Sequence, residues 1–93
     1  MTFREAFLVA CDQNPKATAG HRRRIARVAR TDPRNKRAAR RWKRMEERTA
    51  KRYKAETGQT VTDFGDGQFL QWLIDNLPTI LKLIMSILAV FGL

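Results

Sequence analysis

The first apolar positions of the chain follow the spacing of an amphipathic helix. Thr2 supplies a hydroxyl at the N-cap and Glu5 stands three residues later, which is the pattern of a capping box. Asn14 precedes Pro15 and should end the helix, because the residue before a proline is pushed out of the helical region. We therefore expect a short amphipathic helix within residues 1–15, which packs either on the chain's own apolar segment or on a partner. Its apolar stripe comprises Phe3, Ala6, Phe7, Ala10 and Cys11.

The last part of the chain is apolar almost all round. Residues 69–93 contain only two charged side chains, Asp75 and Lys82. Pro78 interrupts the segment, so we expect either one kinked helix or a helix to about Asn76 followed by a second one. The polar positions step by four, four, three and four residues and form one narrow stripe. That stripe comprises Gln71, Asp75, Thr79, Lys82 and Ser86.

Three environments suit this apolar segment, and the sequence leaves them open. It could lie in a membrane interface, span a bilayer, or pack in a helical bundle within or between chains. A span would put the basic half on the cytoplasmic side. We expect that a monomer cannot easily bury the segment, because the basic half offers little apolar surface to cover it. The predicted membrane or assembly positions are Phe69, Trp72, Leu73, Leu77, Ile80, Leu81, Ile84, Ile87, Leu88 and Phe91.

Between these ends, the sequence predicts a basic helical segment over residues 16–58. A short linker at residues 16–20 precedes a helix at 21–30, and Thr31 marks a break. Asp32 then suits an N-cap and Pro33 the first helical position, which predicts a long helix to about residue 57. Gly58 suits its C′ position, and residues 59–67 form a glycine-containing linker before the apolar segment at 68–93. The narrow, mostly apolar seam of the long helix is Ala38, Trp42, Met45, Thr49 and Tyr53.

Charge sharpens this division of the chain. The 93 residues carry 19 Lys and Arg against 9 Asp and Glu, a net charge of +10. Residues 16–54 hold 17 of the basic residues and three acids, a net charge of +14, whereas the two ends are weakly acidic. One cysteine and one histidine exclude an intrachain disulfide and a Cys/His zinc site. No catalytic constellation can be assembled, so we expect no enzyme activity, no metal and no cofactor.

The high positive charge of the basic segment is typical of a polyanion-binding surface. Arginine outnumbers lysine within it by 12 to 5, and guanidinium groups match phosphate bidentately, which favours nucleic acid over lipid headgroups. Trp42, Tyr53 and His21 could stack on unpaired bases. The candidate nucleic-acid-binding residues are Arg22, Arg23, Arg24, Arg27, Arg30, Arg34, Arg37, Arg40, Arg41, Trp42, Lys43, Arg44 and Arg48.

Residues 34–43 resemble the basic region of bZIP transcription factors, whose pattern is Asn-x-x-Ala-Ala-x-x-Ser/Cys-Arg. The resemblance implies that Asn35, Ala38 and Ala39 face base edges in the major groove. Trp42 and Lys43 depart from the pattern, and no leucine heptads follow it.

These patterns together predict an all-α, extended helical protein without a sheet. We expect a non-enzymatic accessory or structural protein that binds DNA or RNA phosphates through its basic helices. Its C-terminal helix would anchor it in a membrane or a multi-subunit assembly such as a virion, with the basic segment on the cytoplasmic or interior side. One alternative is a holin-like oligomeric membrane protein, whose polar stripe lines a pore. Another is a soluble oligomeric interaction protein with a shared helical core.

Overall fold

The computed structural model describes residues 1–32 and 34–90, with side chains through Leu88. These residues form six α-helices and one 3-10 turn, and no strand occurs among them, which confirms the all-α prediction. The elements are α1 (Phe3–Gln13), α2 (Pro15–Thr18), the 3-10 turn (Ala19–His21), α3 (Arg22–Arg30), α4 (Lys36–Thr57), α5 (Gly67–Asp75) and α6 (Leu77–Val90).

The start of the chain folds largely as its capping signals indicate. The Thr2 hydroxyl accepts a hydrogen bond from the Glu5 amide, and the predicted capping box is complete. Asn14 ends α1, but its side chain then accepts from the Ala17 amide and caps α2. The predicted linker at residues 16–20 is therefore wrong: Pro15 at the first helical position starts a new turn of helix.

The long basic helix starts later than predicted. Asn35, not Asp32, is the N-cap of α4, and its side-chain oxygen accepts from the amides of Arg37 and Ala38. The Asp32 carboxylate instead accepts from the Arg34 amide at 2.9 Å, which holds a turn before the helix. The predicted proline at the helix start, Pro33, lies outside the described residues. At the other end, Gly58 caps α4 with a φ of 75°, as predicted.

The apolar segment forms two helices, which confirms the second of the two expectations, a helix to about Asn76 followed by another. Asp66 caps α5, and Asn76 separates α5 from α6 just before Pro78. The Asn14 side chain donates to the carbonyl of Ile74 at 2.9 Å and so ties the end of α1 to the end of α5.

Helix α6 lies at the centre of one hydrophobic core. It packs against α4, α3, α2 and α5, and α1 covers α5 and α4. Our expectation that a monomer cannot bury this helix is wrong. The α1 stripe, the α4 seam and Val28 of α3 together supply the apolar surface that the basic segment lacks by itself. The buried residues of α6 are Leu77, Ile80, Leu81, Ile84, Ile87 and Leu88.

The predicted extended shape is also wrong. The radius of gyration is 12.3 Å, close to the value of about 12 Å expected for a compact domain of this length. Aromatic rings from distant parts of the sequence close the fold. Phe3 packs edge-on against Trp42 and Phe64, and Tyr53 packs edge-on against Phe69 and Trp72.

In the part of the chain that the structure describes, no helix has both the length and the apolarity to cross a bilayer.

Candidate nucleic-acid interface

Helices α3 and α4 expose a dense set of arginines because each buries only one narrow stripe. Helix α3 is held by Val28, which is fully buried, and by the half-buried Ile25 and Ala29. Helix α4 is held by its predicted seam, all five members of which are buried. Of the candidate binding residues, the exposed ones are Arg22, Arg23, Arg24, Arg27, Arg30, Arg34, Arg37, Arg40, Lys43, Arg44 and Arg48, and Arg41 is half-buried.

Few acids accompany these cations. Helices α3 and α6 contain no Asp or Glu, and α4 contains three, Glu46, Glu47 and Glu56. Glu56 forms an ion pair with Arg52 at 3.0 Å, and Asp32 forms one with Arg34 at 3.3 Å. The potential over α3 and α4 is therefore strongly positive, and polyanions should be attracted to it.

The side chain of Trp42 is not available to stack on bases. It is 7% exposed and packs edge-on against Phe7 with ring centroids 5.8 Å apart. Tyr53 is likewise buried, and its hydroxyl donates to the Gln59 side chain. The predicted stacking roles of both residues are therefore wrong, because each belongs to the apolar seam of α4. His21 is half-buried at the end of the 3-10 turn.

The roles implied by the bZIP resemblance do not fit the structure either. Asn35 uses its side-chain oxygen to cap α4, and Ala38 is 2% exposed within the core. Ala39 is exposed, but it lines a hollow beside Phe3 and Glu46 on the flank of α4 that faces α1. These three positions therefore cannot together read base edges from one face of the helix.

Helix α6 contributes to the same surface, which the sequence did not predict. Arg24 of α3 donates to the Met85 sulfur at 3.1 Å, and Arg48 of α4 donates to the Leu83 carbonyl at 3.4 Å. Lys82 is exposed on α6 between these contacts. The polar stripe of the apolar segment is the signal for this surface in the sequence, and the holin-like alternative interprets it as a pore lining.

The predicted membrane or assembly residues lie in the core of the chain itself. Trp72 is half-buried, and its indole nitrogen donates to Glu56 at 2.9 Å. Phe91 lies outside the described residues. The apolar face that we expected to enter a bilayer or a partner is thus covered by α3, α4 and α5. The buried members are Phe69, Leu73, Leu77, Ile80, Leu81, Ile84, Ile87 and Leu88.

In residues 1–32 and 34–90, two titratable groups have shifted pKa values, and neither belongs to a reactive cluster. Burial, with a smaller contribution from Asp12, raises the pKa of the Cys11 thiol to about 12. The amide and guanidinium of Arg34 lower the pKa of Asp32. Among the described residues, no group of three or more His, Cys, Asp or Glu side chains could hold a metal ion. Comparison of the chain with protein-family models, curated proteins and solved structures finds no match.

Proposed function

We propose that this protein binds nucleic-acid phosphates, without catalysis, through the exposed arginines of α3 and α4. One observation supports the proposal above the others. Residues 16–54 carry a net charge of +14, and the fold turns most of these cations to solvent because the buried stripes of both helices are narrow. Phosphate binding releases counterions from the nucleic acid, so such a surface binds tightly at low salt.

Arginine makes phosphate the best-matched anion. The planar guanidinium donates two parallel hydrogen bonds to one phosphate, and it is less strongly hydrated than the lysine ammonium. Eleven of the twelve candidate cations are arginines, and those of α4 extend from Arg37 to Arg48. That part of the helix covers about 17 Å, which is enough to contact several successive phosphates.

The proposal does not include the anchoring role predicted for the C-terminal helix. The residues that would form the anchor hold α3 and α4 in place, because α6 packs against both helices. Their support for phosphate binding is therefore structural: they fix the relative positions of the two arginine-bearing helices.

Fluorescence anisotropy with labelled DNA tests the proposal. Affinity should fall by at least about tenfold between about 50 and 200 mM salt, because several phosphate contacts release counterions. Arg44→Glu should weaken binding strongly. Lys16→Glu, which changes the net charge equally but lies in α2, should weaken it less. An affinity that does not change with salt, or an equal loss of affinity in both variants, would contradict a defined binding surface on α3 and α4.

A further inference from the structure

The two arginine-bearing helices flank α6 on one side of the molecule. Arg24 reaches Met85 and Arg48 reaches Leu83. Met85 and Leu83 are two residues apart, so they lie on opposite sides of the α6 axis, about 200° apart. Helices α3 and α4 therefore border α6 along its two edges and leave one strip of it exposed between them. The exposed residues of that strip are Pro78, Thr79, Lys82 and Ser86.

The edge of α4 nearest to α6 is a row of arginines. Arg48 marks this edge through its contact with the Leu83 carbonyl. Residues three or four positions from it along the helix lie on the same edge. Glu46 is on the other flank, where it lines the hollow beside Arg4 and Glu5. The row, which is free of acids until Glu56, comprises Arg37, Arg41, Arg44, Arg48 and Arg52.

We use the term three-helix face for this row, the α6 strip, and Arg24 and Arg27 of α3. Lys82 occupies its centre, and α6 brings no acid to it. Packed helix axes lie about 8–10 Å apart, so the axes of α3 and α4 lie at most about 20 Å apart across α6. Arg24 and Arg48 lean inward toward α6, which narrows that gap.

The part of the face that the structure describes offers no exposed aromatic ring on which unpaired bases could stack. None of the aromatic side chains in the described ranges is exposed, and Trp72, which is half-buried, is engaged by Glu56 and Tyr53. Single-strand binders gain much of their affinity from bases stacked on aromatic rings. Asn35, a side chain that could read a base edge, is committed to capping α4.

From these observations we infer that the three-helix face binds double-stranded nucleic acid by both of its phosphate backbones, without reading sequence. The inference rests on the proposed phosphate binding and specifies its ligand. In B-DNA the two backbones border a major groove about 12 Å wide, and the two cation rows can each meet one of them with Lys82 between. A single strand can follow only one row, so the other row adds little to its binding.

Anisotropy competition between a duplex and a single strand with equal numbers of phosphates tests this inference with the full-length chain. The duplex should bind about tenfold tighter, because it has the higher charge density and engages both rows. Unrelated duplex sequences should compete equally. A single strand that binds as tightly as the duplex would overturn the inference and leave the proposed function intact, whereas failure of both to bind would overturn the proposed function itself.

A matched pair of lysine variants tests the face. Lys82→Gln should lower duplex affinity by about threefold and reduce the salt slope, because the centre of the face loses a positive charge that attracts both backbones. Lys54→Gln removes the same charge from an exposed site of α4 that lies about 120° around the helix from Arg48, and it should change neither value. Equal losses in the two variants would overturn the assignment of this face. Both positions are exposed, so circular dichroism should show unchanged folding.

Discussion

Phe7 of α1 and Trp42 of α4 meet edge to face, with ring centroids 5.8 Å apart and ring planes at 70°. Phe3 approaches the same indole at 6.3 Å, so two turns of α1 close on one residue of the basic helix. These contacts therefore pack the weakly acidic start of the chain onto α4, the helix that carries most of the positive charge.

Trp42→Ala should therefore lower the free energy of unfolding by about 3–5 kcal/mol, the usual cost of removing a large buried aromatic side chain. Loss of the edge-to-face contacts adds to the loss of buried area. Urea unfolding followed by circular dichroism measures the change. This cost is a large fraction of the stability of a small domain, which is typically about 5–15 kcal/mol.

Trp42→Phe serves as the control, because it keeps an aromatic ring in the seam of α4. It should cost less than the alanine variant and leave polyanion affinity unchanged, since the indole does not stack on bases. A variant that stays fully stable but loses affinity would instead show that Trp42 contacts the nucleic acid.

Arg4 ties the start of the chain to the end of α3. Its guanidinium donates to the Ala29 carbonyl at 2.6 Å, among the last carbonyls of that helix. Arg4→Met removes this charge-assisted bond and should destabilise the fold by about 1.5–3 kcal/mol. Arg40→Met removes the same charge from an exposed site of α4 and should change stability by less than about 0.5 kcal/mol. Equal effects in urea unfolding would contradict a specific role for the Arg4 contact.

How far the sequence predicts this fold depends on whether a signal is local. The capping box at Thr2, the glycine cap at Gly58 and the break at Asn76 all follow from residues within one helical turn. The prediction that Asp32 caps α4 is wrong because Asn35, three residues later, can also cap a helix, and only the folded chain shows that it does so.

The prediction failed where pairing between distant segments decides the outcome. The α4 seam by itself is too narrow to cover an apolar helix. In the folded chain, α1 and α3 supply the remaining apolar surface. For the same reason the polar stripe with Lys82 at its centre was visible in the sequence, but its neighbours Arg24 and Arg48 were not. The cation-rich segment could be predicted from charge alone, whereas the face that it forms with α6 could not.

A pair of glycines should respond in opposite ways to alanine. Gly58 ends α4 with a φ of 75°, a conformation that costs a residue with a Cβ atom about 1 kcal/mol or more. Gly20 has open space around its Cα atom and no positive φ, so Gly20→Ala should be neutral or stabilising by up to about 1 kcal/mol. Thermal melts of the two variants give the comparison. Equal destabilisation would indicate that the termination of α4 at Gly58 contributes nothing specific to stability.

The Cys11 thiol should make stability depend on alkaline pH. Its pKa rises from 9.0 to about 12 on folding, because burial disfavours the thiolate. The folded state therefore holds this proton more tightly than the unfolded state. Its contribution is complete below pH 9 and is lost as the pH rises toward about 12.

Urea unfolding of the wild type and of Cys11→Ala across this range isolates the thiol from the titration of other groups. The unfolding free energy of the wild type, relative to that of Cys11→Ala, should fall as the pH rises. Alkylation of Cys11 by iodoacetamide at neutral pH should also be slow in the folded protein and fast in urea. Rapid alkylation of the folded protein would contradict the burial of the thiol.

Removal of α5 and α6 should unfold the remaining helices rather than leave an independent basic module. A fragment ending at Gly67 lacks Phe69, Leu73 and the whole of α6, so the apolar stripes of α1, α3 and α4 lose most of the surface that covers them. Clustered positive charge on α4 adds repulsion that an isolated helix cannot offset. Circular dichroism of the fragment should show reduced helicity and no cooperative melt. A cooperative melt would mean that α6 is dispensable for the fold.

Two adjacent residues of α6 test the same point within the full chain. Ile84 is fully buried, and Leu83 is 36% exposed. Ile84→Ser creates a cavity and buries a hydroxyl, so it should cost about 3–5 kcal/mol. Leu83→Ser should cost less than about 1 kcal/mol. If α6 instead packed loosely, the two substitutions would have similar costs, and α3 and α4 would not be held at a fixed spacing. Duplex binding should then survive Ile84→Ser, whereas we expect it to fall as the helices separate.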